Sequence, residues 1–413
     1  MNTTPSANRP HIAFYGNRNA GKSSLLNAVI GQEISLVSSV KGTTTDPVTK
    51  AMELIPLGPV VFIDTAGLDD DGELGALRVK RSLKILQRTD FAVYVIDPLD
   101  FDESAFESTV HNFKKFHIPY MVVINKIDTL STSDMITWKE NFPHAFFVSA
   151  EKGEHILDFK SALIDRIQSE ESDPPIVGDI LPYGSSVILV VPIDSEAPKG
   201  RIILPQVQVI RDCLDHGIKS YVVRDTELTE ALSELKSVDL VITDSQAFHS
   251  VDKMVPDDIF LTSFSILFAR YKGDLAGLVR GANALDSLKA GSKILISESC
   301  THNHSHEDIG RIKIPRGLEK YFDQSFDFTF RMGHDFPDDV SDYDLVIHCG
   351  SCMLNSKTMR TRIQMCEDQG VPITNYGVVL AYLSGILSRS LEIFTKSDEI
   401  NLEKDILNVK KSI

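Results

Sequence analysis

The segment Gly16-Asn17-Arg18-Asn19-Ala20-Gly21-Lys22-Ser23 fits GxxxxGK[ST] and stands between the apolar run His11–Tyr15 and a helix-length stretch. That placement leaves the chain little choice locally: strand, phosphate-binding loop, helix. Glycines let backbone N–H groups curl around phosphate oxygens, and the helix N-terminus favours an anion. Lys22 is expected to reach the β- and γ-phosphates. The Ser23 hydroxyl is expected to ligate Mg²⁺, with Ser24 beside it in the nucleotide site.

Three more motifs follow in an order that selects guanine. Asp64-Thr65-Ala66-Gly67 ends the apolar run Val60–Asp64. Its Asp64 would hold Mg²⁺ through water, and the Gly67 N–H would meet the γ-phosphate. Asn125-Lys126-Ile127-Asp128 ends another run, and the Asp128 carboxylate can accept two hydrogen bonds, from guanine N1–H and N2–H₂. Adenine offers no such pair. Ser149-Ala150 then suits a backbone contact to guanine O6.

These residues resemble the translation-factor-like GTPases, most closely the branch with the tRNA-modification and ribosome-assembly GTPases. Gly42-Thr43-Thr44-Thr45-Asp46 is similar to that branch's GTTRD switch motif, which makes Thr44 the Mg²⁺-binding threonine. Thr45 replaces the motif's arginine, so the arginine's role does not carry over. Under this resemblance Lys22, Thr44 and Gly67 are the catalytic set. Asn19 matches the asparagine that holds K⁺ in potassium-dependent relatives, a cation that would neutralise transition-state charge. Leu68 stands where other GTPases carry a water-orienting glutamine, which implies slow unaided hydrolysis.

The fold class expected is α/β: a P-loop GTPase domain followed by two smaller α/β domains. Apolar runs alternating with helical stretches predict a mostly parallel sheet over 11–170. Residues 1–10 read as a disordered leader. The acidic Ser169-Glu170-Glu171-Ser172-Asp173-Pro174-Pro175 reads as a linker. A second βα pattern over 171–262 is expected to form a dimerisation domain, because it holds no chemical constellation and leaves strand edges for pairing. A third over 263–395 carries the metal motif, and 396–413 is a charged tail. Beyond Ser388 a peripheral helix is expected.

The formal net charge of −16 argues against broad binding to nucleic acid, which needs Lys/Arg surfaces. No apolar run is long enough to cross a bilayer, and the first residues lack a signal pattern. A cytoplasmic location without membrane contact is expected, where clustered cysteines act as metal or catalytic groups.

Five cysteines are too few for a disulfide framework, and three of them cluster with histidines. Cys300-Thr301-His302 and His348-Cys349-Gly350-Ser351-Cys352 each follow an apolar run, and two strand ends can bring them to one sheet edge. Three thiolates and nearby imidazoles, including His304, His306 and His334, can bind zinc tetrahedrally. They can equally hold three irons of a [4Fe–4S] cube. Structural thiols are a third reading, and spacing alone leaves all three open. Cys213 and Cys366 lie on helical stretches and are expected to be buried, inert thiols.

The combination of a GTPase domain of this branch, a middle α/β region and CxH followed by HCxxC resembles the HydF family of [FeFe]-hydrogenase maturation GTPases, at the short end of that family's motif spacing. The resemblance implies a [4Fe–4S] cluster on Cys300, Cys349 and Cys352, and a scaffold that takes a diiron precursor from two radical-SAM maturases. The scaffold then passes it to apo-[FeFe]-hydrogenase, as a homodimer or larger assembly. His302, His304, His306, Glu307, Asp308 and His348 are candidates for the fourth ligand, since a carrier needs one labile position. The expected cofactors are GTP, Mg²⁺, K⁺ and the cluster. The alternative is a zinc-containing, RNA- or ribosome-associated GTPase.

Overall fold

A computed structural model describes residues 9–31, 38–40, 48–65, 84–170, 174–193, 202–299, 309–333, 335–351 and 354–395. The switch residues Thr44, Gly67 and Leu68 lie outside the described residues. So do Cys300, His302, His304, His306, Glu307, Asp308, His334 and Cys352. The chain divides into two compact units, Met1–Ser172 and Asp173–Ile413.

The first unit is built on a seven-stranded sheet. Its strands are β1 (His11–Tyr15), β2 (Ser38–Val40), β3 (Val48–Leu54), β4 (Gly58–Asp64), β5 (Phe91–Ile96), β6 (Tyr120–Ile124) and β7 (Phe146–Phe147). They lie in the order β2-β3-β4-β1-β5-β6-β7. The strands from β4 to β7 run parallel, and β1 and β5 are buried at every residue, as helices on both faces require. Strand β3 was not legible in the sequence. Its Lys50-Ala51-Met52-Glu53-Leu54 is built from helix formers, yet antiparallel pairing from Val48↔Asp64 to Leu54↔Gly58 overrides that preference and buries Met52 and Leu54 on one face.

The second unit holds two four-stranded sheets, each wholly parallel. One comprises β8 (Ser186–Val190), β9 (Lys219–Val223), β10 (Leu240–Thr243) and β11 (Phe260–Ser263), in the order β11-β10-β8-β9. The other comprises β12 (Lys293–Glu298), β13 (Asp327–Met332), β14 (Leu345–His348) and β15 (Ile373–Asn375), in the order β13-β12-β14-β15. A single apolar core runs from Ile176 to Phe394 through both sheets. Each fully buried Ile, Leu, Val or Phe in it contributes about 1.5–3 kcal/mol.

The expectation of a peripheral helix beyond Ser388 is corrected by the structure. Helix Leu387–Thr395 buries Leu387, Leu391, Ile393 and Phe394 and packs against β11. Arg389 ties it to Asp252 Oδ1 at 2.6 Å and to the Val255 carbonyl at 2.7 Å. Charge in this stretch hid an amphipathic face.

Candidate functional site

Strand β1 ends in the phosphate loop, whose shape depends on two glycines. Gly16 has φ +133°, and a Cβ there would sit 2.1 Å from the Val95 carbonyl oxygen of the neighbouring strand. Gly21 has φ +88°, and its Cβ would meet Asn125 Nδ2 at 2.2 Å. Helix Lys22–Ile30 begins there and buries Leu25, Leu26, Val29 and Ile30 against the sheet. The Lys22 ammonium donates to the carbonyls of Gly16 and Asn17, so its charge lies across the loop mouth. Ser23 donates to Asp64 Oδ2 at 2.5 Å, which brings together the two groups expected to share Mg²⁺. Asn19 and Ser24 are exposed, Asn19 with φ +60°.

The guanine motif is built around Asn125, which is buried. Its Nδ2 donates to the Ala20 carbonyl at 3.0 Å, and its Oδ1 accepts from Ala150 N–H at 3.0 Å. One amide thus joins the phosphate loop to Ser149-Ala150. Asp128 accepts from the Ser149 hydroxyl at 2.6 Å, and that bond holds its carboxyl below the usual carboxylate range, with Lys152 adding to the effect. It is therefore ionised and fixed for a two-acceptor contact. Lys126 pairs with Asp97 at 2.6 Å. Asp97 was missed, although its place at the end of the Phe91–Asp97 run was the available signal.

In the second unit, β12 and β14 are adjacent, with Ser297 opposite His348. Strand order reverses at this pair: β13 lies on one side of β12, and β14 and β15 on the other. Parallel sheets bind ligands beyond the carboxyl ends of strands at such a reversal. Cys349 follows β14 directly and so stands at the crevice, and Cys300 comes two residues after the end of β12 in the sequence. Ser299, immediately before Cys300, donates its N–H to Cys349 Sγ at 3.0 Å, and its hydroxyl lies 2.8 Å from the same sulfur. Donors aimed at sulfur suit a thiolate ligand of a soft metal such as zinc or iron. Ser351 adopts φ +55° within the CxxC turn.

His348 does not fit the fourth-ligand expectation in this arrangement. Arg362 Nη1, always a donor, lies 2.6 Å from Nε2, so Nε2 accepts and Nδ1 carries the proton toward the Cys349 carbonyl at 2.9 Å. Both ring nitrogens are thereby committed. Burial, helped by the Arg362 charge, pushes the imidazole down to about 3, which keeps it neutral. Arg362 also reaches Ser297 Oγ at 3.3 Å and the Gly333 carbonyl at 2.7 Å. Lys272 donates to the carbonyls of Ser351 and Leu354, both at 3.0 Å. Neither cation was singled out from sequence, because a basic residue in a helix usually marks a solvated face. Among the described residues no group of three or more His, Cys, Asp or Glu is placed to hold a metal ion. Cys213 and Cys366 are fully buried, and burial pushes both thiols up to about 12.

Comparisons with known proteins divide the chain in the same way. Residues 11–126 match the family model of the 50S ribosome-binding GTPase. GTPase Der of Wolinella succinogenes is 37% identical over 37% of this chain and 35% of its own. The tRNA modification GTPase MnmE of Ralstonia nicotianae is 29% identical over 38% of this chain and 34% of its own. The chain thus spans about a third of the length of these curated relatives. Aquifex aeolicus Era bound to GDP and aluminium fluoride is 18% identical, covering 52% of this chain and 93% of that one, with a TM-score of 0.32, too low to bear on function. The first unit is a GTPase domain of α/β fold. Residues 176–273 match the hydrogen maturase F dimerisation domain and residues 276–393 its tetramerisation domain. Together these two models span more than half of the chain, which belongs to the hydrogen maturase F family.

Proposed function

We propose that this protein is a GTP-hydrolysing scaffold that carries a [4Fe–4S] cluster on Cys300, Cys349 and Cys352, accepts a diiron precursor and delivers it to apo-[FeFe]-hydrogenase. The observation that carries the reading is the meeting of Ser299 with Cys349 Sγ at the reversal between β12 and β14, next to a chain that continues directly into Cys300. When bound, the cluster supplies an iron with one exchangeable position. Protein residues do the rest. Ser299 donates to sulfur, Arg362 holds His348 neutral, and Lys272 secures the turn through Ser351 and Leu354. With His348 committed to Arg362 and the Cys349 carbonyl, the fourth-ligand proposal narrows to His302, His304, His306, Glu307 and Asp308.

In the first unit Ser23, Thr44 and Asp64 hold Mg²⁺, Asn19 holds K⁺, and Lys22, Thr44 and Gly67 stabilise the transferring phosphoryl group. GTP turnover regulates exchange with the two radical-SAM maturases and the hydrogenase. Stretch 171–262 serves dimerisation and 263–395 holds the cluster. The matched dimerisation and tetramerisation models support a homo-oligomer. Among the described residues no helix is long and apolar enough to cross a membrane, and a cytoplasmic setting is part of this proposal.

A second reading, a zinc-containing GTPase acting at the ribosome, draws on the match of residues 11–126 to the 50S ribosome-binding GTPase model, while the net charge of −16 opposes it. Anaerobic purification separates the two. Brown protein absorbing near 400 nm, with iron and sulfide in cluster proportion, is expected; colourless protein with stoichiometric zinc would overturn the carrier. Lys22→Ala should abolish GTP hydrolysis and leave that spectrum intact, since the motifs lie in different compact units.

A further inference from the structure

The two ends of the β12–β15 sheet are finished differently. Among the described residues β13 (Asp327–Met332) pairs with β12 alone. Asp327 N–H donates to the Ser292 carbonyl at 2.9 Å, and Gly333 N–H donates to the Glu298 carbonyl at 2.7 Å. Successive residues of a strand present their N–H and C=O groups to opposite sides. Asp327, Thr329 and Arg331 therefore bond inward to β12, while Phe328, Phe330 and Met332 aim their backbone groups out of the sheet. At the other end, the Pro372 carbonyl accepts from Val346 N–H at 2.9 Å, which turns the Ile373 carbonyl of β15 outward. Helix Leu275–Asn283 lies against that carbonyl, since a Cβ on Gly281 would sit 1.8 Å from its oxygen. A helix thus covers the β15 edge, and β13 carries the open row of donors and acceptors, a template for a further strand.

The residues on that edge are complementary to themselves. They read Asp327-Phe328-Thr329-Phe330-Arg331. A second copy laid antiparallel about a two-fold axis at Thr329 sets its Arg331 opposite Asp327 and its Phe330 opposite Phe328. Phe328 and Phe330 own the outward backbone groups, so each such pair can exchange both N–H···O bonds of an antiparallel ladder. Residues opposite one another share a face of the sheet. The exposed Asp327 and Arg331 meet on the solvent side, and the half-buried phenylalanines extend the row that packs against the core. An axis at Phe330 would instead oppose Asp327 to Gly333 and Arg331 to Thr329. Among the described residues neither Asp327 nor Arg331 has an ion-pair partner within the chain. Exposed ion pairs add little affinity, yet they select register and partner.

We propose that β13 is an edge through which two copies of this chain pair antiparallel about Thr329, joining their sheets into one. The contact is isologous, the same patch on both copies. It lies in the region matched by the tetramerisation model, and so short a strand suits a second, weaker contact that joins dimers. The proposal rests on the homo-oligomer reading above, and its test separates the two.

The experiment is sedimentation of the full-length protein over a range of concentrations. Arg331→Asp opposes like charges at both ends of the paired strands and should weaken tetramer formation about tenfold or more. Asp327→Arg should do the same. The double variant, Asp327→Arg with Arg331→Asp, re-forms both pairs with reversed polarity and should restore wild-type association. A wild-type tetramer indifferent to the single reversals, or a double variant as weak as they are, overturns the edge and leaves the homo-oligomer standing. If the wild type sediments as a dimer only, Thr329→Cys decides. Thr329 faces its own copy in a non-hydrogen-bonded pair, where Cα atoms lie about 4.5 Å apart, within reach of a disulfide. Diamide, which takes up the two electrons and two protons, should then give a covalent dimer absent from the wild type treated alike. No covalent dimer beyond the wild-type level overturns the edge. Wild-type protein that stays monomeric at every concentration overturns the edge and the homo-oligomer together.

Discussion

The two sheets of the second unit share a topology in which the strand order reverses beside a central strand, and they differ in the residues that leave their central strands. After β8 and β10 come Val191-Pro192-Ile193 and Asp244-Ser245. There Ser245 Oγ donates to Ser265 Oγ at 3.0 Å and to Ser263 Oγ at 3.4 Å. After β12 and β14 come Ser299-Cys300 and Cys349, with Arg362 and Lys272 buried nearby. The topology supplies a crevice in both sheets. Among the described residues the first carries Asp244 and serine hydroxyls and the second a cysteine sulfur with buried cations nearby, so the fold offers a place and a few loop residues decide its chemistry.

The edges differ as well. Strand β9 closes one sheet with Tyr221 37% and Val222 48% exposed, where β13 at an edge of the other is half-buried over Phe328–Phe330. An unpaired apolar edge is a template for pairing with another chain, and β9 is accordingly the proposed dimer edge. Both sheets fall within matches to association domains, and on the proposed reading the second also holds the cluster.

The contrast in crevice chemistry breaks most readily at Cys349. Cys349→Ser should remove nearly all bound iron while GTP turnover stays at the wild-type rate, whereas Cys213→Ser, on helix Leu204–Asp215 beside the other sheet, should keep full iron content. Iron assay and phosphate release check both, and iron retained in Cys349→Ser would dissolve the contrast. The next largest effect tests how tightly the cluster-side sheet is packed. A Cβ on Gly281, in helix Leu275–Asn283, would sit 1.8 Å from the Ile373 carbonyl of β15. Gly281→Ala should therefore cost about 2–3 kcal/mol in denaturant unfolding, because a strand backbone cannot yield like a side chain. Gly291→Ala meets no atom within 4 Å, but its φ of +81° makes it strained by a smaller amount. The smallest effect concerns the edge. Tyr221→Lys with Val222→Lys should weaken self-association about tenfold or more in sedimentation or light scattering, with iron content unchanged. Association untouched by that pair would place the dimer elsewhere.

Much of the molecule was legible without coordinates where chemistry and chain are local. The phosphate loop, Asp64 and the guanine motif lie within short stretches whose residue types have few other uses, and Ser23 does meet Asp64. The apolar runs of β1, β5, β8, β12 and β14 read correctly because strands buried on both faces are continuous in hydrophobicity. Strand β3 did not, since pairing across a sheet outweighs helix propensity. Helix Leu387–Thr395 was misplaced because its charged residues concealed a buried face.

The amino-acid sequence alone determined the nucleotide class and the set of thiols, because each is written in a few neighbouring residues. Tertiary structure decided that Ser299 meets Cys349, that His348 turns inward to Arg362, and that two cations lie behind the turn. Those facts depend on the register of β12 against β14 and on a helix 79 residues away from the turn along the chain, where local pattern gives no sign of what a side chain will touch.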